Sequence, residues 1–448
     1  MQIILLVIST ILVMFCFGDS PRISNTSDII LLFEHLLLLF LAKGLINYEF
    51  KTGKHLRHVY YTYFLLGYVI SLFLLHFLWK PYLLKEYSTG WDAFDPVKYY
   101  ALAYEMVDGK YVTDVETFPV IHIFFHEMNV FGVNPLVPFY FNSLAFLYAV
   151  ITIAKYLGKN NLNHIKHYSL LLLIPESLYF NVTASKDIIC LFCATIIFVH
   201  SQKIVDKKYE LSNVLILFIT FAIMFLARTT MAMMAAICVF VFLLDFRKFN
   251  KMTIGFILVC ILLFVFSNKI EESLGLRVTL TDISENVVNE LSGDMSGANE
   301  LSDQKSDAFA NKLIPHNTIE FFVYGIIRST IYAVISPSDF MRLFDFSKFT
   351  FDYTTYLNSL LMTLSWPILI YSFLRRKTLC DYEWNRLFVV VMIYVLAVGM
   401  FNPLIIHRRY RVVYDLLFFA LVLKSWLNIQ DSRKFLKNKL NNEKINNI

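Results

Sequence analysis

A polytopic all-α membrane helix bundle is the fold class this sequence predicts, and three observations predict it. Of its 448 residues 57% are hydrophobic and only 17% charged, whereas soluble domains carry roughly 25% charged residues. The apolar residues fall in repeated continuous runs, and about 20 such residues cross a bilayer as a helix. Basic residues gather at the ends of alternate runs. A transmembrane barrel would instead show alternating segments of about ten residues. The net charge of +5 is modest, and it gives no reason to expect nucleic acid.

About twelve spans are expected from run length: 2–18, 29–47, 59–79, 135–157, 168–182, 187–201, 212–227, 229–246, 252–268, 352–374, 386–406 and 412–428. The first, Ile3–Gly18, lacks a basic leader and reads as an uncleaved span, with a weak signal peptide as the alternative. Most of the six cysteines, Cys190, Cys193, Cys238 and Cys260, lie inside apolar runs and read as small buried hydrophobes.

Orientation follows from the basic clusters. Lys51, Lys54 and Arg57 follow span two; Lys155, Lys159 and Lys166 follow span four; Lys203, Lys207 and Lys208 follow span six. Arg247, Lys248 and Lys251 follow span eight, and Arg375, Arg376 and Lys377 follow span ten. With both termini cytoplasmic, all of these fall inside. The outer face then carries an acidic loop, residues 269–312, with nine acids against four bases. Ile319–Ile335 is apolar around a central Arg328, and the alternation makes it an interfacial or re-entrant helix; a thirteenth span with Arg328 facing the bundle is the alternative. Five regions result: 1–58 (two N-terminal spans), 59–268 (a transmembrane module with external loop 80–134), 269–351 (external loop and interfacial helix), 352–428 (three spans) and 429–448 (a basic tail).

The polar residues at the outer face are the candidate site. W-D-A-F-D-P-V-K-Y-Y places Asp92 and Asp95 just ahead of an amphipathic helix, with Lys98 one turn on. Such acids present a base to a lipid-borne substrate, or cap the helix, for which Asp95-Pro96 is suited. His407-Arg408-Arg409-Tyr410-Arg411 puts three arginines on the side that disfavours them. Guanidinium groups bind phosphate bidentately and stay charged, so Arg408, Arg409 and Arg411 are candidate phosphate ligands. Lys186, Asp187 and Arg228 lie at span ends on the same side, and Lys186 and Arg228 join that set. Glu34, Lys98, Asp187 and Arg328 are candidates to line the cavity. His122 and His126 are four apart with Glu127 adjacent, a spacing that holds zinc only if a third ligand comes from elsewhere. An aromatic-rich surface helix is the plainer reading of that segment.

The order of these segments resembles a known family. The stretches D-A-F-D-P-V-K-Y-Y-A-L-A-Y-E-M-V-D-G-K-Y, F-P-V-I-H-I-F-F-H-E-M-N-V and L-L-L-I-P-E-S-L-Y-F-N-V-T-A-S-K-D, separated by a long span, are similar to the GT-C superfamily of polyprenyl-phosphate-dependent glycosyltransferases. The likeness is to its protein-mannosyltransferase and aminoarabinose-transferase members and covers roughly residues 59–246. It implies a GT-C-like fold and an essential acid in the first external loop, here Asp92 or Asp95. It also implies two surface helices, here Pro96–Asp108 and Pro119–Phe131. The expected donor is a polyprenyl-linked sugar, the acceptor a saccharide or lipid-linked saccharide, and the setting the outer face of a bacterial inner membrane during surface-polysaccharide synthesis. A divalent metal at Asp92/Asp95 is compatible with this chemistry and not required by it. Two spans precede the family-like first one, and D-x-x-D replaces the family's adjacent acids. An Asn/Lys/Ile/Phe-rich composition also looks like that of genes in bacterial surface-polysaccharide clusters, where O-antigen polymerases are similar in size, polytopic and carry external arginines, so repeat-unit polymerisation is a second expectation. A flippase or transporter of lipid-linked sugar is a third, because Pro175, Pro367 and Pro403 interrupt apolar runs.

Overall fold

The computed structural model describes residues 1–17, 26–51, 53–86, 95–110, 120–206, 210–243, 327, 353–401 and 407–446. Every regular element among the described residues is helical. In chain order these are α1 (Gln2–Phe17), α2 (Asp28–Glu49), α3 (Lys54–Leu74), α4 (Lys80–Glu86), α5 (Asp95–Val107), α6 (Val120–Phe131), α7 (Leu136–Leu157), α8 (Leu162–Ile165), α9 (Pro175–Asn181), α10 (Asp187–Val205), α11 (Leu211–Ala227) and α12 (Thr229–Leu243). Further along the chain come α13 (Tyr353–Leu374), α14 (Arg376–Leu379), α15 (Tyr382–Phe401) and α16 (His407–Asn446). The expected span 252–268, the loop 269–312 and Arg328 lie outside the described residues.

Six helices are long and apolar enough to cross a membrane: Asp28–Glu49, Lys54–Trp79, Leu136–Leu157, Asp187–Val205, Tyr353–Leu374 and Arg411–Phe435. They coincide with six of the expected spans. Their outward faces are apolar too. Ile29, Phe33 and Phe40 on α2, and Leu364, Ile370 and Leu374 on α13, are exposed. Leu211, Leu215 and Phe218 on the shorter apolar α11 are exposed as well. A water-soluble monomer rarely exposes so continuous an apolar surface; a bilayer favours it.

α10 is apolar all round and sits at the centre, packed against α7, α9, α11, α12 and α16. α1 and α2 pack on α3 at the periphery, and α13 lies against α9 and α16. α16 has 40 residues, about 60 Å at 1.5 Å per residue, twice the hydrocarbon thickness. The basic tail therefore continues the last span as one helix.

Two faces are defined by side-chain contacts. On one, Lys155 pairs with Glu49 (2.7 Å), Lys159 with Glu383 (3.0 Å) and Asp206 (3.4 Å), Arg386 with Asp206 (2.9 Å) and Lys424 with Asp381 (2.6 Å). These join the ends of α2, α7 and α10 to the start of α15 and the middle of α16. On the opposite face, Thr26 and Asn134 link the starts of α2 and α7. Asn134 Oδ1 accepts the Leu136 N–H (2.9 Å), and Asn134 Nδ2 donates to Thr26 Oγ1 (3.2 Å). Gly132 belongs to this join: its φ is +92°, and a Cβ there would lie 2.6 Å from Thr26 Oγ1. Lys155 and Lys159 both pair with acids on the first face, and Asp187 heads α10 at the end of that helix opposite Asp206.

One expected span returns and runs on into a further helix, and another is corrected. The span 59–79 lies within Lys54–Trp79. α3 passes through a π-helical turn, Leu75–Trp79, into α4. Pro81 explains the turn, since it has no N–H to donate to the carbonyl four residues back and its ring crowds that carbonyl. The span 168–182 is not one helix. The chain leaves α7 on the Lys155 face and enters α10 on the Asp187 face, so residues 158–186 cross the bundle. They cross as α8, a 3₁₀ helix (Lys166–Leu173) and α9, together about 30 Å long. Ile174 is extended (φ −61°, ψ 117°), as the residue before Pro175 must be.

Candidate functional site

A broken crossing exposes carbonyls that an α-helix would satisfy, and within an apolar bundle each needs a partner. The neighbours supply them. Tyr60 Oη donates to the Ile165 carbonyl (2.8 Å), Ser71 Oγ to Leu178 (3.3 Å), and Asn142 Nδ2 to Asn181 and Thr183 (3.2 Å each). α3 approaches the 3₁₀ segment so closely that a Cβ on Gly67 would lie 2.7 Å from the Leu172 carbonyl oxygen. That oxygen is backbone and cannot swing away. Gly67→Val is expected to destabilise the protein by about 1–3 kcal/mol through overpacking; thermal unfolding in detergent reads it, and an unchanged midpoint would refute this packing.

The break places an acid inside the bundle. Glu176, the second residue of α9, is fully buried. Its Oε2 accepts two guanidinium N–H groups of Arg411, from Nη2 (2.8 Å) and Nε (3.0 Å). Asn358 of α13 donates from Nδ2 to Glu176 Oε2 (2.7 Å) and to Asp415 Oδ2 (2.9 Å). Arg411 Nη1 donates to Ser359 Oγ (3.0 Å), and Thr355 Oγ1 lies 3.4 Å from Glu176 Oε1. Arg411, Asp415, Asn358 and Ser359 are each 0% exposed. Three helices thus converge on one polar centre.

A second buried pair stands at the head of α10. Arg228 Nη2 lies 2.8 Å from Asp187 Oδ1, with side-chain exposures of 6% and 0%. Arg228 separates α11 from α12 in extended conformation (φ −159°, ψ 99°), so its side chain turns in to α10. Next to Asp187, Lys186 Nζ lies 5.9 Å from the Tyr99 ring centroid. Tyr99 is one turn after Asp95 on α5, so the acid-bearing helix docks beside the cationic end of α10.

Helices stand at both of these expected positions, α5 and α6, and they pack on each other. α6 buries Val120, Ile121, Phe124 and Met128 and leaves His122 and His126 exposed. Among the described residues no three His, Cys, Asp or Glu side chains group as a metal site. Burial alone pushes the Glu127 carboxyl up to about 9, so the folded protein holds a proton there that the unfolded chain, near 4.5, releases. Stability from this group is complete at low pH and is lost as pH rises through about 9. Glu127→Gln is expected to flatten that part of the melting-temperature profile; a slope equal to wild type would contradict it.

Glu34 is buried beside Asn134, and its neighbour His35 bonds Tyr68 Oη through Nδ1 (2.8 Å). Thr10 Oγ1 lies 3.3 Å from His35 Nε2, which ties α1 into the bundle. Glu34 lies with the Asn134 join rather than with the Glu176 centre. Lys98 is half-buried on α5. Asp92 and the side chains of Asp95, Arg408 and Arg409 lie outside what the structure describes, although Asp95 opens α5 and Arg408 and Arg409 open α16.

Sequence reasoning named Arg411, Asp187 and Arg228 but not their setting, and it passed over Glu176, Asn358 and Asp415. Signals for two of these exist. Asp415 follows Arg411 by four residues in an apolar run, and Glu176 follows Pro175 inside another; ionisable residues at such places are functional candidates by default. Comparison of the chain with protein-family models, with curated proteins and with solved structures finds no match.

Proposed function

We propose that this chain is an integral-membrane glycosyltransferase. It takes a sugar from a polyprenyl-phosphate or diphosphate carrier at the outer face of a bacterial inner membrane, during surface-polysaccharide synthesis. The observation that carries the reading is the Lys186–Tyr99 contact, which sets the helix headed by Asp95 against the cationic end of α10. The reaction needs an acid and a cation at one end of an apolar bundle, and Asp95 and Lys186 are proposed for those roles.

In the proposed step Asp95, with Asp92 as the second candidate, takes the proton from an acceptor hydroxyl. That oxygen forms its bond to the anomeric carbon as the bond from that carbon to the phosphate oxygen breaks. The electron pair leaves with the phosphate. One displacement assisted by one base inverts the anomeric centre. Lys186, Arg408 and Arg409 stabilise the charge that grows on the phosphate. Arg411 and Arg228 are paired with Glu176 and Asp187 and fix the starts of α16 and α12.

A second reading, transport of a lipid-linked sugar, is favoured by the broken crossing at Ile174–Pro175, since transporters build their sites at such interruptions. Deleting the gene and profiling surface polysaccharide and lipid-linked intermediates separates the readings. A polymer of normal length lacking one sugar supports the transferase. Single repeat units mean a polymerase, and intact lipid-linked units trapped on the cytoplasmic leaflet mean a transporter. An unchanged profile sinks all three.

A further inference from the structure

The ends of α2 and α7 and the starts of α3 and α8 line a cavity of about 550 Å³ on the Lys155 face, within the roughly 300–1,000 Å³ typical of ligand pockets. Its depth in a bilayer follows from helix length. α2 and α7 have 22 residues each, about 33 Å at 1.5 Å per residue, close to a hydrocarbon thickness of about 30 Å. The cavity at their ends therefore lies at the level of the lipid headgroups.

Its walls are of two kinds. Phe50 and Ile165 are buried and give it an apolar backing, while Leu162 and Tyr48 are 70% and 67% exposed. The charged wall is Glu49, Lys51 and Lys155. Glu49, the one acid among the described lining residues, is held by Lys155 Nζ at 2.7 Å. That contact uses one of the three N–H groups of an ammonium. Lys51 has no acid partner among the described residues; its Nζ lies 4.7 Å from the Tyr48 ring centroid, which places it at the wall. Lys54 and Arg57, in the first turn of α3, also have no acid partner among the described residues. The surroundings are thus cationic on one side and apolar on the other.

We propose that this cavity binds the headgroup of an anionic phospholipid from the adjoining leaflet, with its phosphodiester held by Lys51 and Lys155 and its acyl chains running past Leu162. A zwitterionic amine headgroup fits less well, because the carboxylate that would receive its ammonium is already engaged by Lys155 and Lys51 repels it. A bound lipid there bridges α2, α3, α7 and α8, whatever reaction or transport the opposite face carries out.

Native mass spectrometry of the full-length protein in detergent, titrated separately with phosphatidylglycerol, phosphatidylethanolamine and inorganic phosphate, tests this. The first phosphatidylglycerol is expected to bind more tightly than phosphatidylethanolamine and to stay bound when inorganic phosphate is added. Lys51→Gln, on an exposed turn where folding is not at risk, is expected to weaken that first binding about fivefold, the equivalent of about 1 kcal/mol for one lysine near anionic lipid. Lys377→Gln, an exposed lysine of α14, is expected to leave it unchanged. Equal binding of phosphatidylglycerol by wild type and Lys51→Gln overturns the proposal. So does an equal loss in Lys377→Gln, which means general charge attraction. Phosphatidylethanolamine binding as tightly overturns it in favour of an amine headgroup at Glu49, and displacement by inorganic phosphate overturns it in favour of a soluble anion.

Discussion

Asp95→Asn is expected to lower sugar transfer by on the order of 10²–10⁴-fold, the usual loss when a general base is removed, while leaving the protein folded. The substitution separates two roles that one acid can fill. Asparagine caps a helix about as well as aspartate, so α5 keeps its start, but an amide cannot take a proton from an attacking hydroxyl. Pro96 follows at the first turn and holds the helix entry in either variant. A purely structural Asp95 therefore predicts near wild-type activity from Asp95→Asn and a loss of about 1 kcal/mol from Asp95→Ala. A catalytic Asp95 predicts that both are inactive. The measurement is transfer from a defined polyprenyl-phosphate sugar in proteoliposomes, normalised to protein level, with Asp92→Asn alongside. Activity of Asp95→Asn within twofold of wild type removes Asp95 from the reaction, and a selective loss in Asp92→Asn moves the role there.

Much of the architecture was legible in the chain because membrane burial writes itself as run length. Six expected spans return as apolar helices, and Lys155 and Lys159 of one basic cluster mark a face where helix ends meet. The helices flanking residues 111–119 were legible, the first from Asp95-Pro96 and its amphipathic pattern and the second from the aromatic-rich amphipathic stretch 118–133. What the sequence concealed was depth. Residues 168–182 look like a span by hydropathy, and only Pro175 hints that backbone geometry changes there. The crossing stays broken because Tyr60, Ser71 and Asn142, up to 107 positions away in sequence, satisfy its carbonyls. No local pattern reports that. Likewise Arg411 reads as a surface arginine near a loop, and the partner that buries it, Glu176, is 235 residues earlier. Charge at a span end signals importance; whether it faces a substrate or another side chain is a tertiary fact.

Arg411→Met is expected to destabilise the folded protein by about 3–5 kcal/mol, the range for removing one partner of a buried ion pair. The cost comes from what remains. Glu176 loses both guanidinium N–H groups and Ser359 its Nη1 contact, and the buried carboxylate loses the cation that clamps it. Methionine fills much of the same volume, so a cavity contributes little. The double variant Arg411→Met/Glu176→Gln removes the stranded charge along with its partner and is expected to regain most of that loss, since apolar or neutral replacements of whole buried pairs are tolerated. Lysine is not an adequate substitute, because one ammonium cannot reproduce the forked contact to Glu176 and the third bond to Ser359. Recovery of folded, monodisperse protein from membranes and its melting temperature report all three variants. If Arg411→Met folds as well as wild type, the guanidinium is not compensating buried charge. If the double variant is worse than the single, the loss lies in packing at the head of α16 and not in electrostatics. If the single fails and the double recovers, Arg411 is a structural cation held for Glu176, and the phosphate ligands of the proposed reaction are to be sought at Lys186, Arg408 and Arg409.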